Sequence, residues 1–104
     1  MKKIEAIIRP EKLERVSDAL IEGGHHAMTV TEVRGRGAQK GIALQFRGKE
    51  IIVDLIPKVK IEMVVEDKDV EAIISIIKNK AHTGKNGDGK IFTYNVDSCT
   101  SVRN

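Results

Sequence analysis

Twice along this chain an alternating apolar strand leads into a helix-period stripe and then into a second strand, and that doubled pattern restricts the fold more than any other feature. In the first unit Ile4, Ala6 and Ile8 fall on one face of a strand over Lys3 to Ile8. Pro10 breaks it and opens a helix, in which Leu13, Val16 and Leu20 recur at helical spacing, with Glu11 in the first turn. Gly23-Gly24 ends that helix, and Met28 to Val33, rich in Thr and Val, reads as the second strand. In the second unit Val59, Ile61, Met63 and Val65 alternate with Lys60, Glu62 and Val64, the clearest strand of the chain. Asp67 and Asp69 lead a helix striped by Val70, Ile73, Ile74 and Ile77. Lys78 and Lys80 at its far end suit the helix dipole. Lys90 to Val96 forms the last strand.

Between the units, Gly35 to Gly48 mixes glycines, basic residues and Gln39 with no clear period, and reads as a long loop. A loop of that length in so small a domain is usually functional or disordered. Ile51 to Ile56 is apolar and reads either as a short strand or as the loop's return arm, punctuated by Pro57. The order is β-α-β, long loop, β-α-β. This predicts an α+β, ferredoxin-like βαββαβ sandwich, a sheet with two helices on one face. At 104 residues it is a single domain, 1–104. The strands carry more apolar surface than one helix layer covers, so the other sheet face is expected to be buried between subunits of a homo-oligomer.

The chemistry concentrates in Thr83-Gly84-Lys85-Asn86-Gly87-Asp88-Gly89-Lys90-Ile91-Phe92. Three glycines allow close backbone approach to a ligand, successive N–H groups in such a turn form an anion nest, and Lys adds a point charge. A phosphate cradle and a plain Gly-rich turn with solvated lysines both fit this segment. A Walker loop does not, because no Gly-Lys-Ser/Thr follows a four-residue gap after a glycine.

Composition narrows the function class. Aromatic residues make up 3% of the chain, too few for nucleic-acid binding by stacking. The net charge of +3 is spread among alternating acids and bases rather than gathered in a run. Cys99 is the only cysteine, which suits a reducing compartment. Met1-Lys2-Lys3-Ile4-Glu5 lacks the apolar stretch of a signal peptide, and no segment is long and apolar enough to cross a bilayer, so a cytoplasmic protein without direct membrane insertion is expected. His25, His26 and His82 have no carboxylate or cysteine spacing that would make a metal site, and no nucleophile-base pair or carboxylate pair stands out, so an enzyme is not expected.

Several segments together resemble the PII signal-transduction proteins of nitrogen metabolism. The opening Met1 to Pro10, the strand Met28-Thr29-Val30-Thr31-Glu32-Val33 followed by Gly35 and Gly37, the Gln39-Lys40-Gly41 loop entry, Val53 to Glu62, and the Gly-rich decapeptide match that family in order and spacing over nearly the whole chain. The resemblance implies a homotrimeric sensor with an effector loop, the T-loop, over 37–56. It implies ATP or ADP in clefts between subunits, and 2-oxoglutarate bound with Mg-ATP. The implied partner is an ammonium transporter or a nitrogen-metabolism enzyme or regulator. It assigns nucleotide contacts to Ile7, Thr29, Gly35, Gly37, Glu62, Val64, Gly87, Asp88, Gly89, Lys90 and Arg103. It assigns 2-oxoglutarate to Gln39, Lys40, Gly41 and Lys58, with Gln39 also a Mg²⁺ ligand. An amide oxygen suits Mg²⁺, and a Lys suits a carboxylate.

Three departures bear on that expectation. Ala38 and Ser101 stand where the family usually has phosphate-contacting arginines. At roughly 1.5–3 kcal/mol per charged hydrogen bond, their loss weakens ATP more than ADP or AMP. An alternative is therefore a divergent sensor of ADP, AMP or another small anion without a 2-oxoglutarate response. Ile51 stands where many members carry a uridylylated Tyr, and no Ser lies between Gly35 and Pro57, so regulation by ligands rather than by covalent modification of the loop is expected. The loop also carries apolar Ile42, Ala43, Leu44 and Phe46, which suits either insertion into a partner or packing on its own trimer.

Overall fold

The computed structural model describes residues 1–37, 42–53 and 55–103, with the strand segments 42–46 and 51–53 described by backbone alone. The elements are β1 (Lys2–Ile8), α1 (Leu13–Glu22), β2 (Thr29–Gly35), β3 (Ile42–Phe46), β4 (Lys49–Val53), β5 (Ile56–Val65), α2 (Val70–Ala81) and β6 (Gly89–Asn95). Each helix is entered through one 3-10 turn, Pro10–Lys12 before α1 and Asp67–Asp69 before α2. Pro10 suits such a start because its missing N–H is one that a helix leaves unpaired anyway.

The main sheet has the order β2-β5-β1-β6, and every pairing in it is antiparallel. With both helices against one face, this is the ferredoxin-like α+β sandwich. Strand alternation sorts the residues cleanly. Ile4, Ala6 and Ile8 of β1 and Val59, Ile61 and Met63 of β5 are buried beneath the helices. Val16 and Leu20 from α1 and Val70, Ile73, Ile77 and Ala81 from α2 complete that core. Each fully buried Ile or Leu contributes about 1.5–3 kcal/mol over its exposed state. The amphipathic stripe read in α2 therefore packs inward, with Ile74 at its margin, only partly buried against the core.

The opposite face of the sheet is open. Val64, Phe92 and Tyr94 are exposed there beside a polar strip in which Lys3 pairs with Glu62 at 2.6 Å, lies 5.7 Å from the Tyr94 ring centre, and sits 3.9 Å from Glu5. Tyr94 donates to Glu5 at 3.3 Å. The hydrogen bond to Glu62 raises the Lys3 pKa above its ordinary value, and the same bond lowers that of Glu62.

Two readings of the sequence change. Pro57 does not punctuate a segment; it is the second residue of β5, opposite Arg34 of β2. The β1 register ends at Ile8 opposite Val59, so Pro57 lies beyond β1 with β2 as its strand neighbour, and the missing N–H takes nothing from a central ladder. The stretch 35–48 is not wholly loop. Gly35 ends β2, and β3 pairs with β4 as an antiparallel hairpin with Phe46 opposite Lys49. The connection is the two-residue turn Arg47-Gly48, with φ of 50° and 75°. Both central residues at positive φ match the twist of a tight hairpin. Ile51 to Val53, read either way from sequence, is strand. The hairpin occupies most of the 37–56 effector span, and its junctions at 38–41 and 54 lie outside the described residues.

Candidate functional site

The Gly-rich decapeptide links α2 to β6, and its shape is set by one carboxylate. Asp88 accepts hydrogen bonds from the Thr83 N–H at 2.8 Å, the Gly84 N–H at 2.9 Å and the Thr83 hydroxyl. Lys85 N–H donates to Thr83 Oγ1 at 3.2 Å. The turn is thus wound around Asp88, which faces its own loop. The Thr83 hydroxyl and N–H, then the Gly84 N–H and Arg9, hold the Asp88 carboxyl far below the usual carboxylate range.

Two cations from the sheet reach the same turn. Arg9, just past the end of β1, donates from Nε to Asp88 Oδ1 at 3.1 Å and from Nη2 to the Asn86 carbonyl at 2.7 Å. Lys58, on β5, donates to the Gly87 carbonyl. Partial burial, and next the adjacent Arg9 charge, lowers the Lys58 pKa below its ordinary value. No cis peptide occurs among the described residues. In a trans peptide the N–H points opposite to the preceding carbonyl. With the carbonyls of Asn86 and Gly87 drawn to the cations, the N–H groups of Gly87 and Asp88 face the other way, and neither has a hydrogen-bond partner among the described residues. Two successive N–H donors facing away from Arg9 and Lys58 are the kind of groups from which an anion nest is made.

Gly89 closes the turn onto the sheet. It has φ of +114°, and a Cβ there would lie 1.8 Å from the Ile7 carbonyl oxygen. It pairs with Ile8, and Lys90 pairs with Ile7 on β1. Ile7 also faces Lys60 of β5. The fold therefore gathers Ile7, Lys58, Gly87, Asp88, Gly89 and Lys90 at one end of the sheet. A cleft of about 500 Å³ lined by Pro10, Glu32, Val33, Arg34, Pro57, Lys58 and Val59 opens beside them.

Thr29, Glu62 and Val64 form a second group on a separate cleft of about 640 Å³, with Lys3 and Met28. Thr29 lies directly opposite Glu62. Lys58 and Val64 are six positions apart on β5, roughly 20 Å at strand rise. One chain thus places these two candidate half-sites at opposite ends of its sheet. Gly35 sits at the end of β2 opposite Ile56, and Gly37 follows it, exposed. Arg103 is exposed in the C-terminal tail and joins neither group. Gln39, Lys40, Gly41 and Ala38 lie outside the described residues. Among the described residues no cluster of three His, Cys, Asp or Glu side chains is arranged to hold a metal. No described helix is long and apolar enough to cross a membrane.

Sequence reasoning passed over Arg9 and Thr83 as site residues. The signal for Thr83 was local, a hydroxyl five positions before an Asp in a Gly-rich turn. Arg9 carried no local signal, because its partners are contributed from the other end of the chain.

The family model for nitrogen regulatory protein P-II matches residues 1–104. The chain belongs to the PII family. It is 55% identical over 103 residues to nitrogen regulatory protein P-II 2 of Methanothermobacter thermautotrophicus, covering 99% of this chain and 90% of that protein. It is 52% identical over 103 residues to nitrogen regulatory protein P-II of Rhizobium meliloti, covering 99% of this chain and 92% of that protein. Against the P-II protein of Azospirillum brasilense the identity is 53% over 103 residues, with the same 99% and 92% coverage. Within this PII chain, Ser101 is exposed in the tail and Ile51 is a β4 residue opposite Leu44.

Proposed function

We propose that this PII protein is a cytoplasmic, non-enzymatic sensor of adenine nucleotide. The phosphates of ATP or ADP are held on the outward N–H groups of the turn at Gly87 to Gly89, with Lys90 beside them. The observation that carries the reading is that pair of N–H donors without partners among the described residues, presented by a turn whose carbonyls are tied back by Arg9 and Lys58. The separation of the two half-sites supports assembly. A ligand on the turn meets the Thr29, Glu62 and Val64 group only if a second copy supplies it, and the homotrimer would close three such clefts. The exposed Val64, Phe92 and Tyr94 on the open sheet face are the kind of surface that assembly covers.

In this reading 2-oxoglutarate binds next to the nucleotide, through Lys58 and the Gln39-Lys40-Gly41 segment. Mg²⁺ is held by the Gln39 amide oxygen together with oxygens of the ligands, in keeping with the reluctance of Mg²⁺ to occupy an all-protein cage. The ligands set the effector hairpin, which controls an ammonium transporter or a nitrogen-assimilation enzyme or regulator. Titration calorimetry with ATP and with ADP, each with and without Mg²⁺ and 2-oxoglutarate, tests this. The expected result is binding of both nucleotides, and 2-oxoglutarate binding only with Mg-ATP present. Absence of any adenine-nucleotide binding would overturn it.

Ala38 and Ser101 favour the second reading, a sensor of ADP, AMP or another small anion without the 2-oxoglutarate response. The same titration separates the two. If the missing cations matter, Ser101→Arg is expected to tighten ATP by about fivefold and ADP by less, the scale of one exposed charge pair.

A further inference from the structure

We propose that Arg9 is the positioning residue of the anion turn, acting on bound phosphate through Asp88 and the Asn86 carbonyl rather than by contact. The inference rests on the nucleotide reading above and adds a residue to it. Arg9 precedes Pro10, which biases its backbone toward extended geometry, and it has φ of −64° and ψ of 137°. Its side chain therefore leaves the sheet in a fixed direction. The guanidinium is a planar fork, and two of its nitrogens are used on two parts of one turn, Nε on Asp88 and Nη2 on the Asn86 carbonyl. The first bond anchors the carboxylate around which residues 83–88 are wound. The second sets the orientation of the peptide that carries the Gly87 N–H.

Lys58 completes the arrangement at the next peptide, through the Gly87 carbonyl. Both cations are close against the turn: a Cβ on Gly87 would lie 3.4 Å from Arg9 Nη2 and 3.5 Å from Lys58 Nζ. Two adjacent cations repel, and the carboxylates of Glu11 and Asp88 offset that repulsion at Lys58. Releasing Arg9 leaves Asp88 with Thr83 and Gly84 as its remaining partners and frees the 86–87 peptide to rotate. The outward N–H pair is then no longer prearranged, and the turn must be ordered at the expense of affinity.

The test is Arg9→Lys and Arg9→Gln in the full chain. It reads the backbone amide NMR signals of Thr83, Gly84, Gly87 and Asp88 without nucleotide, and ATP affinity by calorimetry. A positioning Arg predicts that both variants move the Gly87 and Asp88 amides in the nucleotide-free protein and that both weaken ATP by about fivefold, because Lys keeps the charge and loses the fork. An Arg that acted by touching phosphate would leave the nucleotide-free amides in place, and Arg9→Lys would keep most of the affinity. That result overturns the proposal. If the parent protein bound neither ATP nor ADP, the nucleotide reading would fail. The amide signals would still decide whether Arg9 sets the turn.

Discussion

Replacing Gly89 by Ala is expected to destabilise the protein by about 3 kcal/mol or more, the scale of backbone strain combined with a clash that nothing can relieve. The added Cβ would lie 1.8 Å from the Ile7 carbonyl oxygen, 2.9 Å from its carbon and 3.2 Å from Ile8 Cα. All three are backbone atoms of β1, so no side chain can swing aside. The φ of +114° adds strain for any L side chain. Relief requires the start of β6 to move away from β1, and Ile8, 2% exposed in the core, lies directly opposite Gly89. For a chain of this size 1 kcal/mol corresponds to roughly 4–8 °C, so the melting temperature should fall by about 15 °C. Melts must be compared at one protein concentration, because assembly makes the midpoint concentration-dependent. Gly35→Ala is the control: among the described residues nothing lies within 4 Å of its added Cβ, and the change should stay within about 0.5 kcal/mol. If the two variants melt together, β6 does not begin against Ile7 as described.

That contrast between two glycines shows what a sequence can and cannot disclose. The core strands and α2 were legible because burial on one face imposes a period that any window detects: Ile4, Ala6 and Ile8, and again Val59, Ile61 and Met63, are the buried residues. Gly35 and Gly89 look alike in sequence, and only the β1–β6 register makes one replaceable and the other not. The β3–β4 hairpin escaped notice for a local reason. Its turn is Arg47-Gly48 rather than Asn-Gly or Asp-Gly, and a non-glycine residue at φ of 50° is uncommon outside those types. Pro57 misled because its tolerance depends on where β1 stops. The Gly-rich segment was legible as a turn, while the residues that shape it were legible only in part. Thr83 lies within the segment, whereas Arg9 is 79 positions from Asp88, and no periodicity connects them.

Asp88 carries the second large effect. Its N–H stays with the donors offered to phosphate, while its ionised carboxylate only accepts hydrogen bonds, as phosphate oxygens do. Its place is therefore inside the turn, facing Thr83, Gly84 and Arg9. Asp88→Asn keeps the shape but turns one acceptor into a donor and leaves Arg9 without its counter-charge. ATP affinity is expected to fall roughly thirtyfold, the outcome of losing more than one charge-assisted bond in the element that presents the N–H donors. The same substitution should change the acid limb of stability in a defined direction. The Thr83 hydroxyl and N–H, the Gly84 N–H and Arg9 stabilise the ionised form, so the folded pKa lies below the unfolded one. Such a group contributes fully above its unfolded pKa, near 4, and its contribution is lost as pH falls through that value toward the folded pKa. The stability gap between the parent and Asp88→Asn, measured by urea unfolding at fixed protein concentration, should therefore be constant from pH 7 to about 5 and should narrow below about pH 4. A gap that stays constant into acid would mean that the carboxylate is not held by those donors. The turn would then need another explanation for the direction in which its N–H groups face.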